Sequence, residues 1–149
     1  MQSLGVMRSR ESERLQKGCD GRAKHLLRLL LVIEKEALKR GDNYRKKLED
    51  KWKGVGTMEE GRVLQEAAMM AERADVTEEI VRLRSHLHEF EKFARAKEPI
   101  GRKFDFLAQE MGREINTIGS KSQGVKLAHQ VIEFKSELER IREQIQNVE

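Results

Sequence analysis

Residues 127–148 read LAHQVIEFKSELERIREQIQNV, and this stretch decides the fold class. Its apolar residues recur alternately every four and every three positions, at Leu127, Val131, Phe134, Leu138, Ile141, Ile145 and Val148. That spacing places them along one face of an α-helix for about three heptads, as in a coiled coil. We therefore expect a C-terminal helix over about 124–148. Its apolar seam needs a partner helix, either in the same chain or in another subunit.

Helical spacing continues through the rest of the chain. It predicts helices over about 4–52, 58–73 and 101–118, and a further one that begins at Asp75 or Thr77 and ends before Pro99. Residues 41–43, Gly-Asp-Asn, are a candidate break in the first helix, and residues 54–56, Gly-Val-Gly, are a linker. Residues 119–122, Gly-Ser-Lys-Ser, are typical of a helix stop followed by a new start.

The composition agrees with an all-α protein. Hydrophobic and charged residues each make up 38% of the 149 residues, while aromatic residues are 5% and proline occurs once. Such a chain is poor in strand formers and rich in helix formers, which argues against β-sandwiches, barrels and parallel α/β domains. We expect long antiparallel helices in a bundle, with a coiled-coil-like C-terminal helix.

Cysteine and charge narrow the function classes. A single cysteine, Cys19, excludes an internal disulfide framework and a cysteine-based zinc cluster. The longest apolar stretch, residues 29–33, is far too short for a membrane span, and no signal-peptide core begins the chain. These features favour the cytosol. Residues 1–53 carry 15 basic and 8 acidic side chains, which suits either an anionic partner such as nucleic acid or an ordinary solvated surface.

Two stripes of polar residues lie beside the apolar seams. Glu79, Arg82 and His86 share one helix edge, where they are suited to bind a metal, hold a phosphate or move a proton. Glu110 and Glu114 are one turn apart, a spacing at which two carboxylates can share a divalent cation. Both stripes are equally compatible with ion ladders on a helix surface.

Three blocks of sequence carry a family resemblance. They are residues 74–87, ADVTEEIVRLRSHL, residues 99–121, PIGRKFDFLAQEMGREINTIGSK, and residues 141–149, IREQIQNVE. In order and content they resemble the C-terminal half of the bacterial YicC family. The resemblance implies a cytoplasmic bacterial protein linked to stress survival. It also implies an endoribonuclease that depends on Mn²⁺ or Mg²⁺, cleaves single-stranded RNA and assembles into hexamers.

The resemblance also implies a domain plan. Residues 1–53 would form a long N-terminal helical segment, and residues 57–149 a helical domain that carries the family blocks. Relatives carry a further N-terminal domain, which we expect to be absent from this chain. Gly112 stands where the family usually has Asn. Glycine there should weaken the helix by about 1 kcal/mol.

With the resemblance, the two stripes become candidate site residues. We expect the catalytic residues to be His86, Glu79 and Glu110. The metal ligands expected are Glu79, Glu110 and Glu114, with Asp75, Glu78 and Asp105 as alternates. RNA phosphates would be bound by Arg82, Arg102, Lys103, Arg113 and Lys121. The basic first helix would add backbone contacts through Arg8, Arg10, Arg14 and Lys17.

The alternative is a non-catalytic module for oligomerisation or RNA binding. In that case the polar blocks form ion networks at subunit interfaces, which resemble active sites when only the sequence is seen. Alanine substitutions at the stripes distinguish the two hypotheses. Loss of cleavage with an intact oligomer favours the enzyme, and loss of the oligomer favours the interface.

Overall fold

The chain forms five helices in a computed structural model that describes residues 2–52, 57–96, 101–122 and 124–148. The helices are α1 (Gln2–Trp52), α2 (Thr57–Ala74), α3 (Thr77–Arg95), α4 (Gly101–Lys121) and α5 (Val125–Val148). No strand occurs among these residues. The predicted all-α class is confirmed. The predicted linker at 54–56 and Pro99 lie outside the described residues.

Four of the helices form one bundle. α1 packs against α3 and α5, and α4 packs against the same two helices from the opposite corner. The end of α3 meets the start of α4, where the Phe90 and Phe104 rings lie 4.9 Å apart. At the other end, the last residue of α4 contacts the start of α3. Neighbouring helices are therefore antiparallel, as expected.

The apolar seams face this shared core. Every member of the α5 seam from Leu127 to Ile145 is buried. On α3, the apolar residues at the same three- and four-residue spacing are buried too: Ile80, Leu83, Leu87, Phe90 and Ala94. The partners of α5 are α1 and α4 of the same chain. The side chain of Val148 lies outside the described set. The heptad pattern left open whether the partner helix lies in the same chain or in another subunit. In the described part of the chain, helices of the same chain cover the α5 seam.

The predicted break at 41–43 is wrong, whereas the stop predicted over 119–122 is confirmed, with its end within that stretch. α1 continues through residues 41–43 as one helix. α4 does not stop at Gly119 but runs to Lys121. A Cβ at Gly119 would lie 3.3 Å from Val131 Cγ1 of α5, so this glycine allows the two helices to approach closely. The extension matters because it carries Lys121 on a regular helix to the start of α3.

The hairpin of α1 and α2 reaches beyond the bundle. α1 has 51 residues and α5 has 24, which correspond to about 76 Å and 36 Å of helix. α2 packs on α1. Apolar side chains of α2 remain accessible, since Met70 is 43% exposed and Ala67 is half-buried. None of the described helices has an apolar segment able to span a bilayer.

Candidate active site

The antiparallel packing of α3 on α4 brings the two predicted polar stripes together. Glu79, Arg82 and His86 follow each other along the edge of α3 that faces α4. Glu110, Glu114 and Lys121 follow the matching edge of α4 in the opposite direction. We call these six residues the α3–α4 strip. Sequence spacing placed each set on a helix, but only the packing makes them neighbours.

One end of the strip is a buried ion pair. Lys121 Nζ lies 2.6 Å from Glu79 Oε1 and also donates to the Asp75 carbonyl oxygen at 3.3 Å. The Glu79 side chain is 7% exposed and that of Lys121 is 35% exposed. Within the described residues, Glu79 Oε2 is buried and accepts no hydrogen bond. An unpaired buried carboxylate oxygen is costly in a finished core, so this atom is a candidate acceptor for a ligand.

Arg82 forms the next contact along the strip. Its Nη1 lies 3.7 Å from Glu114 Oε1, and its Nη2 contacts the Glu78 carboxylate one turn earlier. Glu114 is buried, whereas half of the Arg82 side chain is exposed. The guanidinium therefore has donors facing solvent beside a fixed carboxylate. That arrangement suits contact with a phosphate oxygen.

His86 and Glu110 are the last residues of the strip, at the end opposite Glu79 and Lys121. Both are half-buried, and each lies one helical turn from a residue of the ion network: His86 from Arg82, Glu110 from Glu114. Glu110 faces Arg113 of its own helix at 3.9 Å. An imidazole at this end of the strip is chemically suited to proton transfer.

The expected three-carboxylate metal centre is not assembled within the described residues, where no group of three metal-ligating side chains occurs. Glu79 and Glu114 each face a protein cation, and Glu110 faces Arg113. The donors of this chain segment do not fit a self-contained divalent site.

The alternate metal ligands have other partners. Asp75 accepts hydrogen bonds from the Thr77 backbone N–H at 3.0 Å and the Thr77 hydroxyl at 2.5 Å. These bonds hold the pKa of the Asp75 carboxyl below its usual value. Glu78 pairs with Arg82. Asp105 points away from the strip, toward Arg142 of α5 at 3.4 Å.

The predicted phosphate-binding residues divide between two places. Arg82 and Lys121 belong to the strip. Arg102 is exposed at the start of α4, and Lys103 Nζ lies 4.9 Å from the centre of the Phe93 ring on α3. Arg113 is exposed beside Glu110. The side chains of Arg8, Arg14 and Lys17 lie outside the described set, and Arg10 is exposed on α1.

Sequence reasoning missed a third buried carboxylate of the described residues, remote from the strip. Glu137 on α5 is 6% exposed and binds Arg22 of α1 at 2.7 Å, with Arg140 at 3.6 Å. Glu137 lies between Phe134 and Leu138 at the edge of the heptad seam, and this position could have predicted its burial. This network joins α1 to α5 and leaves the strip as the polar contact between α3 and α4.

Comparison with known proteins places these elements in a family. Residues 33–149 match the family model described as "Endoribonuclease YicC-like, C-terminal". The chain is 42% identical over 150 residues to a protein of Clostridioides difficile (strain 630) named "Probable endoribonuclease YicC", an alignment covering 98% of this chain and 51% of that relative. A protein of Haemophilus influenzae (strain ATCC 51907 / DSM 11121 / KW20 / Rd) with the same name is 43% identical over 88 residues, covering 59% of this chain and 31% of that relative.

The chain thus spans about half the length, or less, of these curated relatives. The matched region contains α3, α4 and α5 entirely, together with the α3–α4 strip. The chain belongs to the YicC-like endoribonuclease family, and the part that matches the family's C-terminal model, residues 33–149, carries this strip.

Proposed function

We infer that this chain is the helical part of an endoribonuclease that cleaves single-stranded RNA at the α3–α4 strip. The observation that carries the proposal is the convergence of Glu79, Arg82, Glu114 and Lys121 on one helix contact, with a buried, unpaired oxygen on Glu79. Membership of the endoribonuclease family supports the reaction class. The proposal includes dependence on Mn²⁺ or Mg²⁺ and assembly into a homo-oligomer.

Side chains of the strip divide the work of phosphodiester cleavage. Arg82 and Lys121 neutralise the charge on the scissile phosphate through their exposed donors. Glu79 Oε2 accepts the proton of the attacking oxygen nucleophile. His86, as the imidazolium, donates a proton to the leaving oxygen. Glu114 holds the guanidinium of Arg82 in place and is therefore a positioning residue.

Cleavage of an end-labelled single-stranded RNA by the purified 149-residue chain tests this proposal. We expect cutting with Mn²⁺ or Mg²⁺ and none with EDTA. Glu79→Gln and His86→Ala should each lower the cleavage rate by about 100-fold or more, the usual loss when a general acid or base is removed. Glu133→Gln, on the exposed face of α5, is the matched control and should cleave like the parent.

Circular dichroism and urea unfolding show whether each variant keeps the fold. Equal cleavage by the parent and by folded Glu79→Gln and His86→Ala would reject the strip as the active site. A parent chain that leaves RNA intact under every metal condition would reject a catalytic role for this chain.

One observation favours a second function, a non-catalytic module. Both buried carboxylates of the strip are already paired with cations of the same chain, as in structural ion networks. Under this alternative the strip holds α3 on α4, and the module binds RNA or joins subunits. Glu79→Gln would then lower the free energy of unfolding while RNA binding by the parent occurs without cutting.

A further inference from the structure

A highly exposed aromatic side chain lies at the end of the α3–α4 contact remote from Glu79. Phe106 of α4 is 62% exposed, while the other phenylalanines of the described helices are buried or half-buried. It lies one helical turn from Glu110 of the strip and on the same side of α4. Its ring is thus continuous with the polar surface that we assign to RNA cleavage.

Cations surround this ring. Arg102 and Lys103 precede Phe106 by four and three residues, so both lie beside it on the helix surface. Lys103 Nζ sits over the Phe93 ring of α3 at 4.9 Å, which fixes the ammonium at this end of the α3–α4 contact. Arg102 is exposed at the first turn of α4. Proteins bind single-stranded nucleic acid with this combination, an open aromatic face next to backbone-binding cations.

We propose that Phe106 is a stacking platform for one nucleobase of single-stranded RNA, with Arg102 and Lys103 binding the adjacent phosphates. This inference rests on the proposed function, because it supplies the substrate-binding end of the same surface. The occupant is a base rather than a second protein chain, because an isolated aromatic ring bordered by positive charges offers little apolar area to a protein partner.

Helix geometry sets the distance between platform and cleavage site. Phe106 and Lys121 are fifteen residues apart on α4, which corresponds to about 22 Å along the helix. At the stacked rise of about 3.4 Å per nucleotide, roughly six nucleotides bridge that length. A stacked RNA shorter than this does not reach both ends, so the contribution of Phe106 to affinity should depend on RNA length.

Fluorescence anisotropy with labelled single-stranded RNA in EDTA measures this dependence. For an RNA of about twelve nucleotides, Phe106→Ala should weaken binding at least fivefold, the lower end of the loss expected for one stacked base. For an RNA of about four nucleotides that the strip holds alone, the same substitution should have no effect. Phe106→Trp should restore affinity, and its added indole fluorescence should be quenched by bound RNA.

Ile132→Ala is the matched control, because Ile132 is 61% exposed on α5, away from the strip. Binding of the longer RNA by Phe106→Ala that equals binding by Ile132→Ala overturns the platform and leaves the proposed function standing. An altered elution volume of Phe106→Ala in size-exclusion chromatography, with unchanged RNA affinity, also overturns it, since Phe106 then packs between protein chains. A parent that binds no RNA removes both proposals together.

Discussion

At the scale of single residues, the partner across the helix contact decides what each carboxylate does. Glu78 and Glu79 are neighbours in sequence, yet Glu78 is an exposed surface residue and Glu79 is buried against Lys121. Glu110 and Glu114 differ in the same way, since only Glu114 meets a cation of α3. All four residues are glutamates, so residue type alone did not predict which of them are buried against a cation of the other helix.

Asp75 offers a prediction about pH. Hydrogen bonds from Thr77 lower the pKa of the Asp75 carboxyl in the folded chain. The charged carboxylate therefore stabilises the fold above the unfolded pKa, about 3.9. This stabilisation is lost as the pH falls through the lower folded pKa. Asp75→Ala should destabilise the chain by about 1 kcal/mol at neutral pH, as for loss of side-chain hydrogen bonds. That difference from the parent should shrink below about pH 4.

Urea unfolding of the parent and Asp75→Ala at neutral and acidic pH checks this. Asp75→Asn is the control, since its amide oxygen still accepts the Thr77 bonds but does not titrate. A difference between parent and Asp75→Ala that stays constant down to the acid limit contradicts the assignment.

At the scale of elements, two glycines of α4 have different surroundings. A Cβ at Gly112 meets no atom within 4 Å, whereas one at Gly119 meets Val131 Cγ1 at 3.3 Å. Both glycines destabilise α4, because glycine makes the unfolded chain more flexible. Only at Gly119 would a larger side chain contact the neighbouring helix.

Gly112→Ala should therefore raise the free energy of unfolding by about 0.5–1 kcal/mol. Gly119→Ala should give no gain or a loss, because Val131 must move to admit the methyl group. Thermal or urea unfolding of the two variants compares identical substitutions in one helix. A stabilisation of equal size at both positions would show that α4 and α5 have room at Gly119.

At the scale of the whole molecule, apolar surface remains on the outer side of α1. Leu31 is 48% exposed and Leu38 is 65% exposed, and seven residues separate them, which places them on one side of the helix. The bundle has no further helix to cover this side in the described part of the chain. A proposed homo-oligomer would bury it against another subunit.

Leu31→Glu combined with Leu38→Glu should shift the chain toward monomer, because burying two carboxylates in an apolar interface is unfavourable. Size-exclusion chromatography with light scattering reads the mass directly. Ile132→Glu places the same change on α5 and should leave the mass unaltered. A parent that elutes as a monomer at the same concentration contradicts the oligomer itself.

Apolar periodicity determined the helices and their buried faces from sequence alone. The α5 seam was predicted residue by residue, because every third or fourth side chain of a helix must face the same way. The family blocks likewise located Glu79, Arg82 and Lys121 before any fold was known. These are local properties, set by the geometry of one helix.

Only the tertiary structure decided which stripes meet. The antiparallel contact of α3 and α4 paired Glu79 with Lys121 and Arg82 with Glu114, and it left Asp105 on the side of α5. The last residue of α4 was likewise set by packing. Glycine at 119 is typical of a helix stop in sequence, but in the bundle it allows close packing of α4 on α5. Contacts between residues far apart in sequence depend on how helices approach one another, and no periodicity within one helix encodes that approach.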